Sequence, residues 1–345
     1  MLMVAWRRSK NMIISIAIVA VLIIIAVFLF WVFSNPGYTL NKGVASATLQ
    51  GKIQLWILRA AVPLMTGVNR SLGLVKYAME ELPPVKILTR RGLVTLTFYR
   101  PLGFKEAVLP LYINHHAGGF VVGYAEQDDM ICRYLAHHAC CMVVNVDYIL
   151  APENPYPAQI YQCYEVAVWL KTNAQKLKID ADHIAVGGQS AGASISAALC
   201  LMAKEMKEDI FCAQILNYGY FDTAEDPMDK FIEFGRSQVL GPKMLGFFQN
   251  LYLPRVKRRG ESFASPLLAA DLTGLPEALI ITAQHDLMKN DGNRYADKLK
   301  QSGVKVTHRE FEDTDHGFTH NGPKVPAQIA LKMMANTLKN KFNHE

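Results

Sequence analysis

One short stretch limits what this chain can fold into more than any other. Ile184, Ala185 and Val186 have the character of a buried strand; Gly187 through Gly192 are small apart from Gln189; Ala197, Leu199 and Leu201 then continue an apolar helix. Inside lies G-x-S-x-G, with Gly188, Ser190 and Gly192 as its fixed positions. A strand that becomes a helix within so few residues crowds the positions two either side of the Ser. Both must be small, and the hydroxyl projects away from the sheet. The helix start also leaves backbone N–H groups free, and these favour developing negative charge. The motif alone recurs by chance, so its meaning depends on the rest of the chain.

Strand and helix patterns alternate on both sides of it. Val85–Thr89 and 93–99 read as an antiparallel pair around Arg90, Arg91 and Gly92. Strands are predicted at 108–114, 142–146, 184–187, 213–216, 278–283 and 304–311, with helices near 127–139, 158–174, 294–301 and 326–341. The class is therefore α/β, with a mostly parallel central sheet, right-handed crossovers and helices on both faces. Residues 222–262 break the alternation and carry Phe247, Phe248, Leu251 and Tyr252, which reads as an insertion over the carboxyl edge of the sheet. Residues 49–82 show helical spacing at Ile53, Trp56, Ile57, Ala60 and Val62, then at Leu72, Leu74, Val75 and Ala78. They read as two amphipathic helices split near Pro63 and Gly67, covering the sheet or lying on a membrane.

The N-terminus adds a membrane expectation. Residues 12–33 are 22 uncharged positions rich in Ile, Val, Leu and Phe. A helix of that length spans roughly 33 Å, enough for a bilayer core of about 30 Å. A cleavable signal peptide has a shorter core with a small-residue site directly after it; Trp31 and Phe33 stand there instead, and Ala45-Ser46-Ala47 lies well beyond. Arg7, Arg8 and Lys10 are expected to stay cytosolic, leaving the bulk of the chain on the exported side, cell exterior or ER lumen. The organisation is then 1–11 cytosolic, 12–33 transmembrane signal anchor, 34–48 linker, 49–84 cap helices, and 85–345 catalytic domain with a cap insertion at about 222–262. The net charge of +6 includes those three N-terminal bases, and nothing indicates nucleic acid. Arg255, Lys257, Arg258 and Arg259 read as a solvated loop. Cysteines 132, 140, 141, 163, 200 and 212 fit no C-x-x-C spacing and read as buried free thiols, with room for one disulfide. Asn69-Arg70-Ser71 is a glycosylation acceptor in a host that glycosylates.

Three further stretches give the Ser a chemical setting. His115-His116-Ala117-Gly118-Gly119-Phe120 follows a strand directly, and glycines let backbone N–H groups approach an oxyanion closely. Asp286 follows an apolar strand, where ligands bind in open α/β sheets, although it could instead cap a helix, and Asp291 competes for its role. His316, in Asp315-His316-Gly317-Phe318 after the last strand, can reach toward both Asp286 and Ser190. The chain order Ser, Asp, His with an earlier Gly-rich loop suits nucleophilic catalysis without metal or cofactor. His116, His137 and His138 lack carboxylates spaced to complete a metal site.

Over about residues 85–340 the sequence resembles the hormone-sensitive-lipase-like branch of the α/β-hydrolases, which includes bacterial carboxylesterases and arylacetamide deacetylases. H-A-G-G-F at 116–120 is similar to the family's H-G-G-G-F/W, and D-Y-I-L-A-P-E-N-P-Y-P-A at 147–158 to its stretch after the fourth strand. The resemblance implies an α/β-hydrolase fold with a helical cap from the N-terminal helices and the 222–262 insertion. It implies oxyanion N–H groups from Gly118, Gly119 and Ala191, with 147–158 bracing that loop. Three positions depart from the pattern: Ala117 replaces a Gly, Gln189 an Asp, and Ala193 a Gly. The expected activity is hydrolysis of uncharged esters of short to medium acyl chain by Ser190, His316 and Asp286. The expected partners are a small ester substrate and membrane lipid through the N-terminal helix. An amidase with the same triad is the alternative, and a non-catalytic binding protein the remote one.

Overall fold

Strands buried on both faces read as near-continuous apolar runs, and the central strands are largely apolar, with Asn114, Asn145, Gln214 and Asn217 as buried polar exceptions. The computed structural model describes Ile23, Val27, Trp31 and residues 37–65, 72–234 and 239–342. A hairpin, β1 (Tyr38–Asn41) and β2 (Val44–Ala47), precedes helix α1 (Leu49–Met65). The main sheet contains β3 (Met79–Glu80), β4 (Val85–Thr89), β5 (Gly92–Pro101), β6 (Leu109–His115), β7 (Met142–Asp147), β8 (Ile179–Gln189), β9 (Ala213–Asn217), β10 (Glu277–Ala283) and β11 (Val306–Phe311). Their order is β11-β10-β9-β8-β6-β7-β5-β3, with β4 also on β5. Pairs from β7 through β6 to β11 are parallel, while β5 runs antiparallel to β7, β4 and β3. The expected mostly parallel sheet with an antiparallel edge is present.

Helices cover both faces: α2 (Asp129–Ala139), α3 (Ala158–Thr172), α4 (Ala174–Leu177), α5 (Ala191–Met206), α6 (Pro227–Phe234), α7 (Pro242–Tyr252), α8 (Lys289–Gln301), α9 (Phe318–Asn321) and α10 (Lys324–Phe342). Alternate strand residues serve opposite cores, as the two-residue period requires. Leu111 and Ile113 pack with Ile160, Val166, Ile195, Leu199 and Leu299 from α3, α5 and α8. Tyr112 between them packs with Ile131, Leu135, Leu331 and Met334 from α2 and α10.

Several expectations need correction. The 34–48 linker holds the β1–β2 hairpin, turned at Lys42 and Gly43, both with positive φ (50° and 75°). Of the two helices expected over 49–82, α1 is the first, and it continues through Pro63. The residues from Leu74 to Ala78 have no regular structure, and Met79–Glu80 pairs with β5 instead. Their helical spacing was outweighed by packing: Leu72 and Leu74 join the α2–α10 side, and Tyr77 stacks on His137 at 4.0 Å. Strand β8 starts at Ile179, earlier than hydropathy alone shows, because Asp180, Asp182 and His183 hide its beginning. Among the described residues no helix is long and apolar enough to cross a membrane. The span expected at 12–33 lies outside them except for Ile23, Val27 and Trp31; Asn69, Arg70 and Ser71 also lie outside. All six cysteines are free thiols, with Cys140 exposed and Cys212 half-buried.

The 222–262 insertion supplies α6 and α7, and a buried ion pair locks it down. Lys230 on α6 lies 2.5 Å from Asp291 on α8 and 2.9 Å from Glu225. Asp291 also accepts the backbone N–H groups of Phe221 (3.2 Å) and Asp222 (2.9 Å). Burial pushes the Asp291 carboxyl up to about 6, against the pull of Lys230. Burial works against the Lys230 ammonium, yet its two carboxylates outweigh this and raise its pKa. Removing one partner strands a buried charge at a cost of about 3–5 kcal/mol, whereas replacing both with apolar groups is often close to neutral. Lys230→Ala should therefore lose about that much stability in urea unfolding, and Lys230→Met combined with Asp291→Leu should recover most of it.

Candidate active site

The site forms where the strand order reverses. From β6 the chain crosses to β7 on one side, while β8 lies on the other, so the segments leaving β6 and β8 diverge and open a crevice. His115 ends β6 beside Gly188 of β8. The two chains meet so closely that a Cβ on Gly188 would lie 2.2 Å from the His115 carbonyl oxygen, and one on Gly192 only 1.9 Å from it. Between these glycines Ser190 adopts φ 54° and ψ −119°, an unfavourable region for any side-chain-bearing residue. Its N–H donates to Asn217 O at 2.9 Å, and its carbonyl accepts the N–H of Ala193 at 3.0 Å. The strain is held by the backbone around it.

Two loops bring the other side chains. Asp286 follows β10, fully buried, and its Oδ1 accepts the Met288 N–H at 2.9 Å. His316 follows β11. Because β10 and β11 are paired neighbours, their loops meet: Gln284 N–H donates to Phe311 O (3.0 Å), His285 N–H to Thr314 O (2.9 Å), and Asp313 N–H to Gln284 Oε1 (2.9 Å). His316 Nδ1 lies 2.7 Å from Asp286 Oδ2, and its Nε2 lies 2.9 Å from Ser190 Oγ. The structure thus brings Ser190, His316 and Asp286 together in one hydrogen-bonded chain. Asp291, the competing carboxylate, is instead engaged by Lys230 and the 221–222 backbone.

The glycine-rich loop arches over Ser190. Gly118 has φ 132°, and a Cβ there would meet Val122 O at 1.9 Å; Gly119 has φ 59°. Gly118 O accepts from Val121 and Val122, and among the described residues no acceptor is recorded for the N–H of Gly118 or Gly119. The N–H of Ala191, first in α5, has no acceptor within its helix. All three residues line one cavity with Ser190 and His316. Ala117 is not among the residues with positive φ, so its methyl is tolerated. The 147–158 segment ties the loop down: Tyr148 OH donates to His116 O (2.8 Å), its ring stacks on His116 at 4.1 Å, and Ala151 N–H donates to Phe120 O (2.9 Å). Burial pushes His115 down to about 3 and lowers His116 as well, so neither ring brings a positive charge to the loop.

Gln189 has a local reason to differ from Asp. Asn114 donates from Nδ2 to Asp128 Oδ2 and Asn145 Oδ1, both at 2.9 Å, which leaves its carbonyl to accept from Gln189 Nε2 at 3.3 Å. An ionised Asp could not donate there. The sequence reading missed Tyr218, whose ring meets His316 edge-on at 5.1 Å and whose hydroxyl contacts Thr319 (2.5 Å) and His320 (3.1 Å). His320 in turn pairs with buried Asp128 at 2.8 Å. No motif marks these residues; the only signal was the position of Tyr218 just past a strand end.

The cavity, about 550 Å³, is walled by Val62, Val122, Leu240, Leu245, Phe248 and Met288. Val62 comes from α1, and Leu245 and Phe248 from α7, so both N-terminal and inserted helices roof it. Arg59 of α1 donates to Val121 O (3.0 Å), Ala151 O (2.8 Å) and Glu153, which fixes the helix to the loop beneath.

Comparison with known proteins agrees with this fold. The profile of the alpha/beta hydrolase fold family matches residues 112–320. An arylesterase of Saccharolobus solfataricus is 32% identical over 77% of this chain and 86% of its own length. Carboxylesterase NlhH of Mycobacterium tuberculosis is 35% identical over 64% of this chain and 69% of its own. Among solved structures, the thermophilic carboxylesterase EstE1 from a metagenomic library superposes with TM-score 0.78 at 33% identity, covering 84% of this chain and 98% of that one. A hyperthermophilic esterase from Pyrobaculum calidifontis superposes with TM-score 0.77 at 30% identity, covering 83% and 91%.

The glycine contacts set a paired test. Gly192→Ala drives a methyl into the His115 carbonyl and should lower stability by about 1–3 kcal/mol or more in chemical denaturation. Gly246→Ala on α7, where a Cβ would meet only Pro227 at 3.9 Å, should instead raise it by up to about 1 kcal/mol.

Proposed function

The chain belongs to the alpha/beta hydrolase fold family, in its hormone-sensitive-lipase-like branch, and is a carboxylic ester hydrolase; on that footing we propose that it is a serine carboxylesterase working through an acyl-enzyme at Ser190. The observation that carries this reading is the unbroken chain from Asp286 through His316 to Ser190 at 2.7 and 2.9 Å. Ser190 Oγ attacks the ester carbonyl while His316 Nε2 takes its proton. The carbonyl oxygen, now anionic, receives the N–H groups of Gly118, Gly119 and Ala191. The imidazolium is stabilised by Asp286 and then returns the proton to the departing alkoxide. Water repeats the sequence on the acyl-enzyme and regenerates Ser190. The apolar walls favour uncharged substrates, and the cavity volume suits acyl chains of short to medium length.

The apolar 12–33 segment supports a further reading, that it is an uncleaved signal anchor with the catalytic domain on the exported side. Resistance of the full chain to alkaline carbonate extraction, with protease protection of residues beyond 37 in sealed membranes, is the expected outcome. Extraction into the soluble fraction would remove this reading and leave the chemistry untouched.

Ser190→Ala should reduce ester turnover by on the order of 10⁶ if the three side chains act as a unit. Asp286→Asn should cost about 10⁴ in kcat while leaving the geometry intact. Both are read with a chromogenic acyl ester. A matched anilide carrying the same acyl group should be cleaved far more slowly; comparable rates would make the chain an amidase.

A further inference from the structure

The outward face of α1 has no role in the chemistry. Leu49, Lys52, Trp56, Ala60 and Pro63 recur three and four residues apart, share one face of the helix, and are all exposed, Leu49 at 74% and Trp56 at 72%. The opposite face, through Gly51, Gln54 and Leu55, is buried. A helix that ends its packing in water carries polar residues outside, and α1 carries one.

Charge points the same way. Residues 1–79 contain eight Lys and Arg and no Asp or Glu, so the remainder of the chain is net negative although the whole is +6. The β1–β2 hairpin is stitched to the basic loop that follows α7. Ala45 N–H donates to Pro254 O (2.7 Å), Val256 N–H donates to Gly43 O (3.0 Å), and Val44 forms a bridge with Arg255. Exposed Lys42, Arg255 and Lys257 therefore cluster with exposed Leu40, Val44 and Val256. The other two bases of that loop are engaged, Arg258 by Glu261 (2.7 Å) and Arg259 by Asn250 (2.7 Å). Apolar side chains interleaved with Lys and Arg are what an anionic bilayer surface accepts.

We infer that the outer face of α1, the β1–β2 hairpin and the 254–257 loop dock on the surface of an anionic phospholipid bilayer. This rests on the signal-anchor reading, which adds a distance limit. Four residues lie between Phe33 and Tyr38, so over five Cα steps β1 begins within about 18 Å of the hydrocarbon edge. The C-terminal part of α1 carries Val62 into the cavity wall, so docking sets the cavity beside the lipid from which an apolar ester would arrive.

The test uses the full chain reconstituted in phosphatidylcholine vesicles, with or without phosphatidylserine, containing lipids brominated near the headgroup end of the acyl chain. The Trp56 signal is taken as the difference between the wild type and Trp56→Phe, which cancels the other three tryptophans. Quenching of that component, stronger with phosphatidylserine, is expected. A variant combining Lys42→Glu, Lys52→Glu, Arg255→Glu and Lys257→Glu should lose it while hydrolysing a water-soluble ester at the wild-type rate. Carbonate extraction is run in parallel as the readout of the anchor alone. Protein that resists extraction but leaves Trp56 unquenched overturns the docking and keeps the anchor. Protein that is extracted overturns the anchor, and docking is then decided by flotation. Phosphatidylserine-dependent flotation, weakened ~100-fold or more by the four reversals at roughly fivefold each, supports docking, and no flotation overturns it. Concentration-dependent shielding of Trp56 without vesicles would assign the face to a second copy of the chain and also overturn it.

Discussion

The contact between the end of β6 and the turn after β8 governs this molecule. His115 O approaches Gly188 and Gly192 so closely that neither can carry a side chain, and the chain between them is forced into the unfavourable backbone of Ser190. Such a conformation persists only where its surroundings over-determine it. Here they do: strand pairing on both sides of β8, the bond to Asn217 O, and the start of α5 all act on the same few residues. The same contact places the glycine loop that leaves β6 directly over the hydroxyl. The Ser190 hydroxyl and the backbone of the glycine loop are positioned by a single constraint.

His316 and Asp286 come from the far side of β9, held by a different device. Parallel pairing of β10 with β11 sets two loops side by side, and three hydrogen bonds join them before either side chain reaches the site. Asp315 adds a link to the cap by accepting the Val239 N–H at 3.3 Å. Behind His316, the chain Tyr218–His320–Asp128–Asn114–Gln189 runs beneath the floor back to the residue preceding Ser190. Apart from Gln189 Oε1, the buried polar side-chain atoms of this hydrogen-bonded chain are paired, and pairing of this kind holds one arrangement because alternatives leave further groups unpaired in a low-dielectric interior.

The roof buries Leu55, Leu245, Phe247 and Leu251 in the main core and is also fastened by polar contacts at discrete points. Arg59 ties α1 to the glycine loop and to the brace behind it, while Lys230 ties α6 to α8 through Asp291. A roof fastened at discrete points can present its inner face to substrate and its outer face to something else. The outer face of α1 is apolar and basic, and the hairpin beside it extends that character toward the N-terminal segment.

The sequence by itself determined the element order, the parallel sheet and three of the side chains that meet at its carboxyl edge. Periodicity reports which residues face a core, and a glycine two positions either side of a Ser reports a close approach before the approaching group is known. The same logic could not separate Asp286 from Asp291, because both follow β10 and only the positions of α6 and His316 distinguish them. It placed a helix from Leu72 to Ala78, where spacing was right but tertiary contacts to α2 and α10 prevailed. It could not find Tyr218, His320 or Asp128 as one network, since they come from separate parts of the chain and adjoin only after the sheet has closed. The basic loop at 254–258 read as ordinary surface, and only backbone pairing with the β1–β2 hairpin gave it neighbours. Local patterns record what each segment must bury; which buried or exposed groups become partners is decided by the packing of distant segments, and no local pattern encodes it.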